Sequence, residues 1–180
     1  MLSWRQGVLL YDAKRGPLPD AYHPNLNTVR LHAEREFDHL AGQARIFYET
    51  ALLAKQLRHN RTAMFLLHQA TEQMYQAIIL THTGFKPTTH NLDKLRRYTV
   101  RLSIDLALIF PKDSPEETRL FSLLVASYVG GRYKNDFTVT DVDLNLLICR
   151  IEKLISIGGT ICIHRLKFID KLILSPNSNL

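Results

Sequence analysis

The stretch Arg61-Thr-Ala-Met-Phe-Leu-Leu-His-Gln-Ala-Thr-Glu-Gln-Met-Tyr-Gln-Ala-Ile-Ile-Leu-Thr-His82 contains neither Gly nor Pro and repeats its apolar residues at helical spacing. Ala63, Leu66, Leu67, Ala70, Met74, Ala77 and Ile78 form one stripe, and Gln69, Glu72, Gln73 and Gln76 occupy the opposite face. That is the pattern of an amphipathic helix of about six turns. Upstream, Phe37, Leu40, Ala44, Phe47, Ala51 and Ala54 make a second stripe, separated from the first by His59-Asn60. From Asn25 to Thr83 there is one Gly, Gly42, and no Pro, a run too long and unbroken for a strand-rich domain. Downstream, Thr83-Gly84-Phe85-Lys86-Pro87 stops the helix, with Gly84 suited to the left-handed terminal position and Pro87 beyond it.

The remaining signals extend the helical reading in both directions. Asn91, or Thr89, is placed to cap a shorter helix through Leu95, and Leu102 to Phe110 reads as a further short helix or turn ended by Pro111. Ser114-Pro115-Glu116-Glu117 combines a capping hydroxyl, Pro at the first helical position and acids in the first turn. The helix it opens uses Leu120, Phe121, Leu124 and Tyr128 and is expected to halt near Gly130-Gly131. Thr140-Asp141-Val142-Asp143 starts the last one, with Leu144, Leu147, Ile148, Ile151, Leu154 and Ile155 as its stripe. The expected fold is all-α, a five-helix up-and-down-type bundle over residues 25–157. A strand arm and linker (residues 1–24, with Gly7-Val-Leu-Leu-Tyr-Asp12 as the strand) precede it, and a helical tail (158–180) follows. A lone strand leaves its edges unpaired, so the arm is expected to meet a second subunit or another domain.

Composition narrows the class. The 180 residues are 46% apolar and 22% charged, which excludes wholesale disorder. The excess of 23 Lys and Arg over 17 Asp and Glu gives a net charge of +6, a bias toward anionic partners. Two cysteines, Cys149 and Cys162, are too few for a disulfide framework, and no His pair at helical spacing has a third ligand, so no metal or other cofactor is expected. With no signal-like apolar start and no span of membrane length, the expected location is cytoplasmic, with no membrane partner.

Three stretches taken in order, Phe65 to Tyr75, Gly84-Phe-Lys-Pro-Thr-Thr-His-Asn-Leu-Asp-Lys-Leu95, and Phe110-Pro-Lys-Asp through Arg119-Leu-Phe121 to Tyr128-Val-Gly-Gly-Arg-Tyr-Lys-Asn-Asp-Phe137, resemble the HEPN domain (higher eukaryotes and prokaryotes nucleotide-binding). The resemblance spans roughly residues 28–157 and is to the bacterial branch in which the domain follows a nucleotidyltransferase domain. It implies a helical bundle, commonly a homodimer, that binds nucleotide or RNA and partners a nucleotidyltransferase in a toxin–antitoxin-type system. Residues 1–24 then resemble a remnant of that preceding domain. Some members are metal-independent endoribonucleases carrying Arg-x4–6-His late in the bundle.

At the matching place stands Arg132-Tyr-Lys-Asn-Asp-Phe137, in which the Arg is present and no His follows. Arg132 and Lys134 supply charge, and Asp136 is an acceptor far more acidic than the base such a cleavage needs near neutral pH. Nuclease action, with Arg132 and Asp136 or a non-standard His such as His90, is therefore the alternative, and a structural dimerisation domain without ligand a third reading. Arg132 paired with Asp136 is the plain structural expectation for that segment. The preferred reading is a binding module whose phosphate site gathers Lys86, His90, Lys94, Arg96 and Arg97 with Arg132, Tyr133 and Lys134. Arg101 closes the same basic stretch, and Tyr133 and Phe137 are the candidate stacking aromatics. Arg61 and His68 match Arg-x6-His literally but lie on the second helix, where His68, Glu72 and Tyr75 are expected to form a hydrogen-bonded packing cluster.

Overall fold

The computed structural model describes residues 25–133 and 137–175, with the backbone alone for Arg132 and Tyr133. The strand arm expected over residues 1–24 lies outside the described residues. α1 (Leu26–Gln56) begins where the Asn25 side chain accepts the Asn27 N–H, at 2.9 Å. Its stripe buries Leu40, Ala44, Ala51 and Ala54 completely or nearly so, and Phe37 and Phe47 pack on the edge of the core. A tight turn with Arg58 at φ 63° reverses the chain into α2 (Asn60–Thr83).

α2 is the centre of the molecule, touching α1, α5, α6 and the short α3. Ala63, Ala70 and Ala77, spaced by seven, are fully buried and permit close helix approach. Its buried run is continuous from Met74 to Thr81 and also takes in Glu72 and Gln76. The polar face expected at Gln69, Glu72, Gln73 and Gln76 is thus half covered, because later segments wrap that side. Thr71 and Thr81 satisfy their buried hydroxyls on the carbonyls of Leu67 (2.8 Å) and Ala77 (2.7 Å). Gly84, at φ 71°, closes α2 by donating to Leu80 O at 2.7 Å, a conformation that favours glycine.

α3 (Leu92–Thr99) is capped by Asn91, whose side chain accepts the Lys94 N–H at 3.0 Å, and α4 (Ile104–Ile109) is capped by Ser103. The described residues therefore form six helices rather than the expected five, since Leu102–Phe110 contains a helix of its own. α5 (Pro115–Tyr133) starts on Ser114, whose hydroxyl accepts the Glu117 N–H at 3.2 Å. It ends at Tyr133, two residues past Gly131 and within a turn of the expected halt near Gly130-Gly131. A Cβ at Gly130 would lie 2.4 Å from the Phe137 ring, and one at Gly131 would lie 3.0 Å from Arg61 O. These glycines also serve close contact.

α6 (Asp141–Leu174) is capped by Thr140 and passes Gly158-Gly159 unbroken. Cross-links define the directions: Arg30 pairs with Asp170 and Lys55 with Asn145, so α6 runs antiparallel to α1. Asn60 on Asp141 (2.9 Å) and Gly158 against Met74 and Ile78 make it parallel to α2. Ser127 on Met64 O (3.0 Å) sets α5 antiparallel to α2. The four long helices enclose Leu40, Met64, Leu67, Met74, Tyr75 and Ile78, and Phe110 meets Phe121 at 5.0 Å beneath α3 and α4. Among the described residues no helix is long and apolar enough to cross a membrane.

Candidate functional site

The basic stretch 86–101 divides into three environments. Lys86 and His90, on the loop between α2 and α3, line an open cleft of about 680 Å³ with His39, Gln43 and Phe47 of α1 and Glu72, Gln73 and Gln76 of α2. Lys94, Arg97 and Tyr98 of α3 and Arg101 of the turn that follows it line a recess of about 320 Å³. Arg96 turns inward, donating from Nε to Phe110 O at 2.8 Å with its guanidinium 5.9 Å from the centre of the Phe121 ring. It acts as a bolt between α3 and the core, not as a surface cation.

The α3 face is unneutralised. Asp93, the nearby acid, is occupied by Lys112 at 2.7 Å. Among the described residues no carboxylate lies within salt-bridge distance of Lys94, Arg97 or Arg101. Tyr98 stands 55% exposed between them. Lys94, Arg97 and Tyr98 share one face of α3 by their i, i+3, i+4 spacing, and Arg101 joins them from the turn after Thr99.

The cleft is built around a carboxylate taken out of water. Glu72 keeps 3% of its side chain exposed and accepts Nδ1–H of His90 at 2.9 Å on Oε1, with Gln76 Nε2 at 3.5 Å. Its other oxygen, Oε2, is buried without a hydrogen-bond partner among the described residues. His90 itself is 66% exposed, so the ring has one nitrogen on the buried acid and a face toward solvent. Tyr128 of α5 lies parallel to it, at 6.4 Å and 9°, and also packs on His68 at 5.1 Å. Burial, and then the neighbouring His90, push the His68 imidazole down to about 4, so it is neutral near pH 7.

The expected His68–Glu72–Tyr75 hydrogen-bonded cluster forms differently. All three residues are buried, but Glu72 bonds forward to His90, His68 stacks on Tyr128 with Gln69 Nε2 at 3.4 Å, and the Tyr75 hydroxyl has no partner among the described residues. Asn91 caps α3 as expected, and Thr89 accepts the Asn91 N–H at 3.2 Å. The backbone of Arg132 and Tyr133 ends α5 beside the start of α2. Lys134, Asp136 and the expected Arg132–Asp136 pair lie outside the described residues, as do the side chains of Arg132 and Tyr133. Phe137 packs against the core edge and Gly130 and also lines an open pocket with Arg61 and Gly131.

Sequence reasoning passed over Tyr98, His39 and the role of Glu72. Tyr98 was within reach, since it follows Lys94 by four and precedes Arg101 by three. The Glu72–His90 contact has no local signal, because it joins residues 18 apart across a helix end. A family model described as HEPN domain matches residues 37–160, which holds all of α2 to α5 and the cleft. No curated protein sequence matches the chain.

Proposed function

The chain belongs to the HEPN family, a family generally tied to nucleotides and RNA, and on that premise we propose that it is an RNA- and nucleotide-binding module reading phosphate through the outer face of α3. The observation that carries this is the set of three cations, Lys94, Arg97 and Arg101, around exposed Tyr98 with no acid to neutralise them. Cations without an acidic partner gain most from a phosphate backbone, and an aromatic among them offers a base a stacking surface. In keeping with the branch it resembles, the module works in the cytoplasm as a homodimer beside a nucleotidyltransferase, in a toxin–antitoxin-type pair.

Fluorescence anisotropy with a labelled single-stranded RNA tests the binding. The Lys94→Glu/Arg97→Glu/Arg101→Glu triple variant is expected to lose at least about tenfold in affinity. Each phosphate contact on a single strand contributes about −0.7 to the slope of log K against log salt, so three contacts give about −2. Wild-type and triple variant binding RNA equally, with the same salt slope, would remove α3 as the surface. Sedimentation velocity and co-purification with a co-expressed nucleotidyltransferase test the dimer and the partner.

A further inference from the structure

The cleft between α1, α2 and the 84–91 loop carries groups that phosphate binding on α3 does not use. His90 donates from Nδ1 to a carboxylate that is almost fully buried, while two-thirds of its own side chain remains open to solvent. With Nδ1 held, the neutral ring presents a lone pair at Nε2. The parallel Tyr128 ring sets its plane. Lys86, whose ammonium lies 4.0 Å from Glu36 of α1, and a second imidazole, His39, line the same cleft from the loop and from α1. Glu72 has one oxygen without a partner among the described residues, and its other oxygen fixes the tautomer and orientation of the His90 ring. Fastening the loop accounts for Nδ1 of His90 on Glu72 and for Lys86 beside Glu36, but not for an imidazole two-thirds open to solvent with a second one lining the same cleft.

We propose that this cleft is a catalytic site for opening a nucleoside 2′,3′-cyclic phosphate, with His90 as general base, His39 as general acid, Lys86 as the cation on the phosphoryl oxygens and Glu72 as the residue that positions His90. The substrate class follows from three features. About 680 Å³ holds a single nucleotide. A lysine among imidazoles favours a phosphate. Ring strain in a five-membered cyclic phosphodiester lets one ammonium and two proton carriers suffice. His90 Nε2 takes a proton from water as the water oxygen bonds to phosphorus. The P–O2′ bond breaks, and O2′ takes a proton from the His39 imidazolium. The product is the 3′-monophosphate with a free 2′-hydroxyl. Nothing is oxidised or reduced, and exchange with solvent returns each imidazole to its starting state. The site shares no residue with the α3 face and does not depend on RNA binding there.

The test is hydrolysis of 2′,3′-cyclic CMP by the full chain, followed by phosphorus NMR, with 3′,5′-cyclic CMP as the unstrained control. The expected result is 3′-CMP from the first and no product from the second. His90→Gln keeps a donor toward Glu72 and is expected to lower the rate about 10²–10⁴-fold. The groups around His90 are Glu72 and His68 from α2, Tyr128 from α5 and Lys86 from its own loop, the last paired with Glu36 of α1, and His39 of α1 lines the same cleft. The pH–rate profile is therefore expected to lose its acidic limb in His90→Gln and its alkaline limb in His39→Gln. In Glu72→Gln kcat falls with KM unchanged. A wild-type chain that leaves 2′,3′-cyclic CMP intact overturns the proposal, as does a His90→Gln chain with the wild-type rate. An inactive wild type whose His90→Gln variant merely melts earlier reduces the contact to a loop fastening. RNA anisotropy on the same samples reports the α3 reading separately, so either can fail without the other.

Discussion

Protonating His68 means placing a charge where the chain leaves 2% of the residue exposed, against Tyr128 and beside His90. Its folded value of about 4 lies below the ordinary imidazole value of 6.5. The unfolded chain then binds the proton more readily, so the contribution is fully present above about pH 6.5 and is lost as pH falls toward 4. The size is on the order of 3 kcal/mol. Asp143 and Glu117, held low by hydrogen bonds from Arg119 and Arg150, also lose stabilisation on acidification. The imidazole is isolated by comparison with His68→Phe, which keeps a ring against Tyr128. Urea unfolding at pH 7 and pH 5 is expected to show a larger loss for the wild type than for the variant, by about 2 kcal/mol. Equal losses would show that His68 is not the titrating group. The cysteines offer a second residue-scale check. Cys149 is exposed, whereas burial pushes the Cys162 thiol up to about 12. A thiol reagent should label one site in the native protein and the second only in denaturant.

At the scale of the elements, adjacent glycines on α6 have opposite jobs. A Cβ on Gly158 would stand 2.8 Å from both Met74 and Ile78 of α2, whereas one on Gly159 meets nothing within 4 Å. Gly158→Val is expected to cost about 1–3 kcal/mol through overpacking. Gly159→Ala is expected to stabilise by about 0.5–1 kcal/mol through helix propensity. Thermal denaturation distinguishes them, and a loss in both would refute the assignment of α6's approach to α2. The same pair marks where a local reading reaches its limit. Caps at Asn91, Ser114 and Thr140 and the stop at Gly84 are written in neighbouring residues, and they fall where expected. Gly130-Gly131 marks the end of α5 to within a turn, but the contacts those glycines admit, with Phe137 and with Arg61 and Phe65 of another helix, are not written in their neighbours. Glu72 reads as exposed for the same reason: its periodicity is local, but His90 covers it from the far side of a helix end. Arg96 reads as one more cation of the basic stretch until Phe110 O takes its guanidinium.

For the whole molecule, α2 packs against α1, α3, α5 and α6 while α3 rests chiefly on α2 and α4 on α6. Hydrogen exchange is therefore expected to be slowest at the Met64–Thr81 amides and faster by orders of magnitude across Leu92–Ile109, without global unfolding. If α3 exchanges as slowly as α2, the molecule is more uniform than its packing implies. The arrangement by which Arg96 bolts α3 to Phe110 O while its neighbours face outward also bears on how occupancy is felt inside. A ligand gripping the outer face needs α3 folded, and so draws against the local opening equilibrium of that helix. Binding would then cool the fluctuations of the Phe110–Phe121 wall behind it, so the surface and the core wall report the same event through one guanidinium.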